Sequence, residues 1–205
     1  MGACTATPPT HYIQIDAPES VAFVNACTTT GHTNILPSTD DGSAIAMLPF
    51  PFRYWTVDLP MGAPVNIASN GWMGMNGVRN ASLGGAIPAA AAPNSVIAAL
   101  WTDLITSLTG ICLATVGTAP NRRWVVQWLN AHNYPSGGSM TFEIVLSETS
   151  GTIDLVYRTM TRPGAGSVGI ENETGMMGMN GCMGIGMGMM CSPPAGTAIR
   201  FTPTP

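Results

Sequence analysis

Lysine is absent from this 205-residue chain, and charged residues of every kind make up only 9% of it, against roughly a quarter in an average soluble domain. The surface must therefore be mostly neutral and polar. Seven Arg stand against eleven acids, for a formal charge of −4, so no basic patch exists to neutralise phosphates and nucleic acid is excluded as a partner. No apolar run reaches the roughly 18 to 20 residues that span a bilayer. The N-terminus lacks the charged flank and apolar stretch of a signal peptide, so the chain reads as mature or trimmed. Also missing are CxxC pairs and Cys/His clusters of the kind zinc needs. Uninterrupted helical patterns are missing too. The alanine-rich segment Ala86 to Ala92 is broken by Pro88 and bounded by Pro93, which a helix interior does not accommodate, and it reads as an ordered loop. No G-x-S-x-G, HExxH, P-loop or dinucleotide fingerprint occurs. His11, His32 and His132 are scattered through polar loops, so the chain is expected to be no enzyme, with no catalytic residue, metal or cofactor assigned.

What is present is period-two alternation. Trp124, Val126 and Trp128 alternate with Val125 and Gln127. Phe142, Ile144 and Leu146 alternate with Glu143 and Val145, and Ile153, Leu155 and Tyr157 with Asp154, Val156 and Arg158. These are half-buried strands. The turn Glu148 to Gly151 makes residues 141–158 a hairpin, and Gly117 to Asn121 joins the strand Ile111 to Val116 to the tryptophan strand. Asn70-Gly71 is a strong hairpin signal between Val65 to Ser69 and Trp72 to Met75, because both residues tolerate positive φ. Further strands are expected at Val21 to Asn25, Ala44 to Leu48, Phe50 to Tyr54, Ser95 to Trp101, Ser167 to Ile170 and Thr197 to Phe201. About ten short strands at this spacing mean an all-β antiparallel sandwich, jelly-roll-like. Residues 1–20 are expected as an extended arm and residues 21–205 as one sandwich domain.

Five cysteines are widely spaced, and disulfides suit them better than metal. Their odd number leaves one unpaired and the connectivity open. The pairing chosen joins Cys182 to Cys191, which bracket a single loop, and Cys27 to Cys112, leaving Cys4 spare.

Several segments together carry a family resemblance. Ile45-Ala-Met-Leu-Pro-Phe-Pro-Phe-Arg-Tyr54, Asn66-Ile-Ala-Ser-Asn-Gly-Trp72 and Ala91-Ala-Pro-Asn-Ser-Val-Ile-Ala-Ala-Leu-Trp-Thr-Asp103 resemble, in order, a motif series of nidogen-like extracellular domains, especially those of secreted and cell-surface bacterial proteins. Pro120 to Trp128, Leu146 to Ile153, Ser167 to Gly175 and Gly196 to Phe201 continue it. The resemblance implies a non-catalytic extracellular β-sandwich associated with adhesion, matrix or surface structure. It covers roughly residues 40–201, and the departures are residues 1–35 and 176–190.

The second departure is the chain's oddest feature. Of the fifteen residues 176–190, seven are Met and five are Gly, and the pentapeptide Met-Gly-Met-Asn-Gly at 73–77 recurs at 177–181. Thioethers are soft ligands, so Met176, Met177, Met179, Met183, Met187, Met189 and Met190 are candidates for Cu(I). The preferred reading is an adaptable contact surface, since Met fills irregular apolar gaps and Gly lets backbones approach.

The remaining candidates are weaker. Asp40-Asp-Gly-Ser43 offers oxygen ligands but reads as a turn. Glu143 and Asp154 fall on outward faces, where solvated carboxylates are expected. Trp55, Trp72 and Tyr134 would have to form an exposed platform if the chain bound carbohydrate. Asn80-Ala-Ser82 and Asn172-Glu-Thr174 match the glycosylation acceptor pattern, which is too short to argue from. The function expected is an extracellular or cell-surface structural and adhesive module without a membrane span. Its partners are other copies of itself or matrix and surface components. Sparse charge leaves sheet edges with few gatekeepers, so Tyr12, Ile13 and Ile15 of the N-terminal arm, with Cys4 and the loop residues Met187, Met189 and Met190, are the residues assigned to assembly.

Overall fold

Strand 123–129 sets the plan of the molecule, because both of its faces are covered, each by different partners. The computed structural model describes residues 11–16, 21–161, 163–182 and 190–204, with side chains left out at 14–16. Sixteen strands run through them: β1 (His11–Asp16), β2 (Thr33–Ile35), β3 (Ser43–Met47), β4 (Phe52–Tyr54), β5 (Val57–Leu59), β6 (Pro64–Ala68), β7 (Trp72–Gly74) and β8 (Val96–Trp101). Then come β9 (Leu104–Ile105), β10 (Ile111–Val116), β11 (Arg123–Asn133), β12 (Ser139–Ser147), β13 (Ile153–Thr161), β14 (Ser167–Glu171), β15 (Gly178–Asn180) and β16 (Thr197–Thr204). The expected all-β sandwich is found. One sheet has the order β1-β16-β13-β12-β11-β10-β2 with β9 beside β11; the other has β15-β14-β8-β7-β6-β3, and β4 and β5 form a separate hairpin.

The sheets stack through the inward halves of the alternations. Trp124, Val126, Trp128, Phe142, Ile144, Leu146, Leu155 and Tyr157 share one core with Val65, Ile67, Met73, Ile97 and Ala99. Polar tips of large aromatics cross the sandwich to backbone: the Tyr157 hydroxyl donates to the Ala99 carbonyl at 2.7 Å and Trp128 Nε1 to that of Ala68 at 3.1 Å. Buried donors so placed avoid the desolvation penalty of an unpaired polar group.

Both outer faces are roofed as well, which explains why Val96 to Trp101 is buried at every residue. Over the second sheet, the segment 78–95 seals Ala68, Trp72, Val96, Ala98 and Trp101 with Ile87. No helix forms in its alanine-rich part, as the prolines require. Over the first sheet, residues 21–28 cover Cys112, Ala114, Val125, Val145, Val156 and Ala198. Here the expected strand Val21 to Asn25 is not found: the segment is irregular and ends in a 3-10 turn, Ala26–Thr28. It crosses the sheet instead of pairing along it, so its amides find side chains, with Val24 N donating to Glu143 and Cys27 N to Gln127.

Other differences concern short strands. β2, β5, β9 and β15 have two or three residues each, too few for a periodic signal. β15 also puts a strand inside the Met/Gly segment. The hairpins at 111–129 and 141–158 are present, the second with a register shift between Thr141 and Phe142. The Asn70-Gly71 turn joins β6 to β7, and Gly71 (φ +79°) is required there twice over, since a Cβ would sit 2.0 Å from the Leu100 carbonyl oxygen.

Candidate functional site

Two segments assigned to contact surfaces lie far apart in sequence and meet at one side of the sandwich. β1 pairs antiparallel with β16 of its own chain, from His11 opposite Thr204 to Asp16 opposite Ile199. That register turns Tyr12 inward. Its ring packs edge-on against Trp55 at 5.1 Å, and its hydroxyl approaches the Arg53 carbonyl. Burial raises the phenol well above its ordinary range, though a hydrogen bond and the Arg53 charge oppose the shift. Opposite, a turn built on Asn172 carries the methionines: its N–H donates to the Met177 carbonyl at 2.8 Å, and its side-chain oxygen accepts from Met177 N and Thr174 Oγ1. Gly178 then lets β15 approach β14, because a Cβ there would lie 2.7 Å from the Ile170 carbonyl oxygen. Between these elements runs a groove of about 250 Å³ lined by His11, Tyr12, Trp55, Pro88 and Met176–Met179. Met176 is 78% exposed and Met177 38%.

The assembly residues separate accordingly. Tyr12 is a core residue, 6% exposed, and serves its own chain first. Ile13 is half exposed, and Ile15 lies opposite Arg200 in the sheet. Met190 is 57% exposed. Cys4, Met187 and Met189 lie outside the described residues, as does Met183. Both chosen disulfides are formed, Cys27–Cys112 and Cys182–Cys191. The second consumes the two thiolates nearest the methionines, which leaves a soft-metal site there only thioethers. The platform reading is corrected for its tryptophans: Trp55 and Trp72 are buried, each held in packing that a flat sugar-binding face would forgo, and Tyr134 alone is exposed.

The carboxylates also fall differently from expectation. Glu143 and Asp154 do point away from the sandwich interior, but neither is solvated. Asp154 takes a two-pronged contact from Arg200 at 2.6 and 2.9 Å, and Glu143 lies beneath residues 21–28. Burial pushes the Glu143 carboxyl up to about 8, and Glu171, accepting from Ala89 N at 3.0 Å, up to about 7.

A second polar centre forms where the Asn70 turn meets two loops. The Asn70 amide nitrogen donates to Asp41 at 3.0 Å and to the Ala81 carbonyl at 3.1 Å, and its oxygen accepts from Leu104 N at 2.8 Å. This anchoring gathers Asp40, Asp41 and Asp103, whose carboxylate oxygens lie within 4.8 Å of one another. Burial, with the charges of Asp41 and Asp40, raises the Asp103 carboxyl. Chemically, such an all-oxygen set suits a hard cation such as calcium and not copper or zinc. Asp40 and Asp41 are legible in the sequence as a turn, but only the fold sets beside them Asp103, which follows β8 of the sheet that β3 also belongs to.

With this geometry in view, comparison with known proteins is decisive for the family. A family model described as NIDO related matches residues 16–203. The chain belongs to the nidogen-related family. No curated protein and no solved structure matches it. The match extends well N-terminal of the resemblance seen at residues 40–201, so residues 16–35, which sequence reading could not place, are part of the nidogen-related domain. The motif residues prove to be structural: Asn70 ties three loops, and Trp72 and Trp101 both donate to the Ser82 carbonyl.

Proposed function

We propose that this nidogen-related protein is a non-enzymatic extracellular structural module that self-associates, with the groove between β1 and Met176–Met179 as its contact surface. The family supports an extracellular, non-catalytic role. Two disulfides fit an oxidising compartment. No helix among the described residues is long and apolar enough to cross a membrane.

The observation that carries the contact surface is the juxtaposition of Tyr12 and Trp55 with Met176 and Met177 along one groove. Exposed methionines adapt to a partner's shape at low energetic cost, and β1 and β15 end their sheets among the described residues, so backbone groups lie beside the apolar lining. The occupant proposed is a second copy of this chain, added strand to edge. Addition of that kind repeats head to tail and yields a fibre unless it closes.

Sedimentation velocity and negative-stain microscopy of the intact protein test this, alongside a variant carrying Met176→Glu and Met177→Glu. Both positions are solvent-facing, so the variant should fold. Concentration-dependent assembly that disappears in the variant is the expected result. A wild-type protein that stays monomeric at high concentration, or an assembly indifferent to the two charges, overturns the proposal.

A further inference from the structure

One row of side chains runs straight across the outer face of the larger sheet. Cys112 on β10 is opposite Gln127 on β11, Gln127 opposite Glu143 on β12, Glu143 opposite Val156 on β13, and Val156 opposite Ala198 on β16. Residues 21–28 lie along this row as a strap, attached to it at successive points. Cys27 is bonded to Cys112, Cys27 N donates to Gln127 Oε1 at 3.3 Å, and Val24 N donates to Glu143 Oε1 at 3.0 Å. Farther along, Arg158 stacks over the Phe23 ring at 5.0 Å.

The polar groups under the strap are incompletely satisfied. Gln127 and Glu143 are both 0% exposed, yet Gln127 Nε2 and Glu143 Oε2 have no hydrogen-bond partner among the described residues. A buried carboxylate needs several donors or a paired cation, and Glu143 has one backbone N–H. The charges around it do not pair with it. Arg123 on β11 and Arg158 on β13 favour its ionised form, Asp154 on β13 opposes it, and Arg200 on β16 is engaged by Asp154. The strap itself has no titratable side chain besides the disulfide-bonded Cys27, and β10 has none besides Cys112.

We propose that residues 21–28 are a pH-latched strap: they close over the sheet by resting on an uncharged Glu143 carboxyl, and loss of that proton lifts residues 21–26 while Cys27–Cys112 keeps the strap tethered. Lifting lets water reach the carboxylate and uncovers the apolar face formed by Val125, Val145 and Val156. The direction follows from linkage. The closed state binds the proton more tightly than the open one, where the carboxyl is solvated, so closure is strongest in acid and weakens as pH rises. The carboxyl's midpoint of about 8 in the closed state places the change between the ordinary carboxylate range and mildly alkaline pH.

Amide hydrogen exchange on the intact, oxidised protein tests the latch, with rates corrected for the intrinsic pH dependence of exchange. The opening constant reported by Val24, whose amide is bonded to Glu143, should rise about tenfold per pH unit between about pH 5 and about pH 8, while Ile144 and Val145 on β12 stay protected. In Glu143→Gln, which keeps the acceptor and cannot ionise, it should be flat. A pH-independent wild-type opening constant, the same slope in Glu143→Gln, or simultaneous loss of protection in β12 overturns the proposal. Should Glu143→Gln not fold, carboxyl carbon NMR of the wild type decides alone. A Glu143 titration near 8 that moves the Val24 amide with it supports the latch, and a midpoint in the ordinary carboxylate range refutes it.

Discussion

Trp72 and Trp101 stand 5.2 Å apart, ring to ring, and share a single acceptor, the carbonyl of Ser82, at 3.1 and 2.8 Å. Each comes from one of the motifs by which the family resemblance was read, and together they clamp the 78–95 segment over the smaller sheet. Replacing either with Phe keeps most of the ring and deletes the N–H, and should cost about 1 kcal/mol. The double variant should cost more than the sum by about 1 kcal/mol, because only then does the Ser82 carbonyl lose its last donor. Denaturant unfolding of all four proteins measures this. Additivity within about 0.3 kcal/mol would show that water replaces the lost donors.

The two disulfides should differ in worth. Cys27–Cys112 spans 85 residues and Cys182–Cys191 only 9. On the chain-entropy account the first stabilises by about 4.5 kcal/mol and the second by about 2.5 kcal/mol. Paired Cys→Ala variants compared by chemical denaturation should keep that order. A larger loss from removing the short bridge would mean that it holds native contacts as well as restricting the unfolded chain.

Arg200 and Asp154 should not be equally replaceable. The Asp154 side chain is 3% exposed and that of Arg200 31%. Arg200→Ala strands a buried carboxylate and should destabilise by about 3 kcal/mol or more. Asp154→Asn leaves a guanidinium that can still reach water and should cost clearly less. Equal losses in equilibrium unfolding would refute this asymmetry.

Thermal stability should fall as pH rises through neutrality. Glu171 is buried beneath the Ala89 amide, and burial lifts its carboxyl to about 7. A carboxyl with a raised folded-state pKa contributes fully below its unfolded value of about 4.5 and loses that contribution as pH rises through the folded value. Scanning calorimetry from about pH 5 to about pH 8.5 should therefore show a declining midpoint. Glu171→Gln should reduce the decline, and a slope unchanged by that substitution would remove Glu171 as its source.

Much of the fold was legible because alternation is a property of the local backbone. Trp124 to Trp128, Phe142 to Leu146 and Ile153 to Tyr157 announce which residues face inward, and Asn70-Gly71 announces its turn. The short strands escaped because two or three residues carry no period. The site was less legible. The Met-rich segment could be singled out by composition, but nothing local placed it beside Tyr12, or Asp103 beside Asp41.

What the sequence determined by itself was the sandwich, its inward faces and its family. What the tertiary structure decided was coverage. Met-Gly-Met-Asn-Gly occurs twice, yet Met73 is 0% exposed and Met177 38%, because β7 lies between β6 and β8 while β15 pairs only with β14 among the described residues. In the same way Gln127 and Glu143, polar and outward by period, are buried by a strap more than a hundred residues upstream of Glu143. Periodicity tells which way a side chain points from its own strand. Whether water waits there depends on segments that the chain brings back from far away.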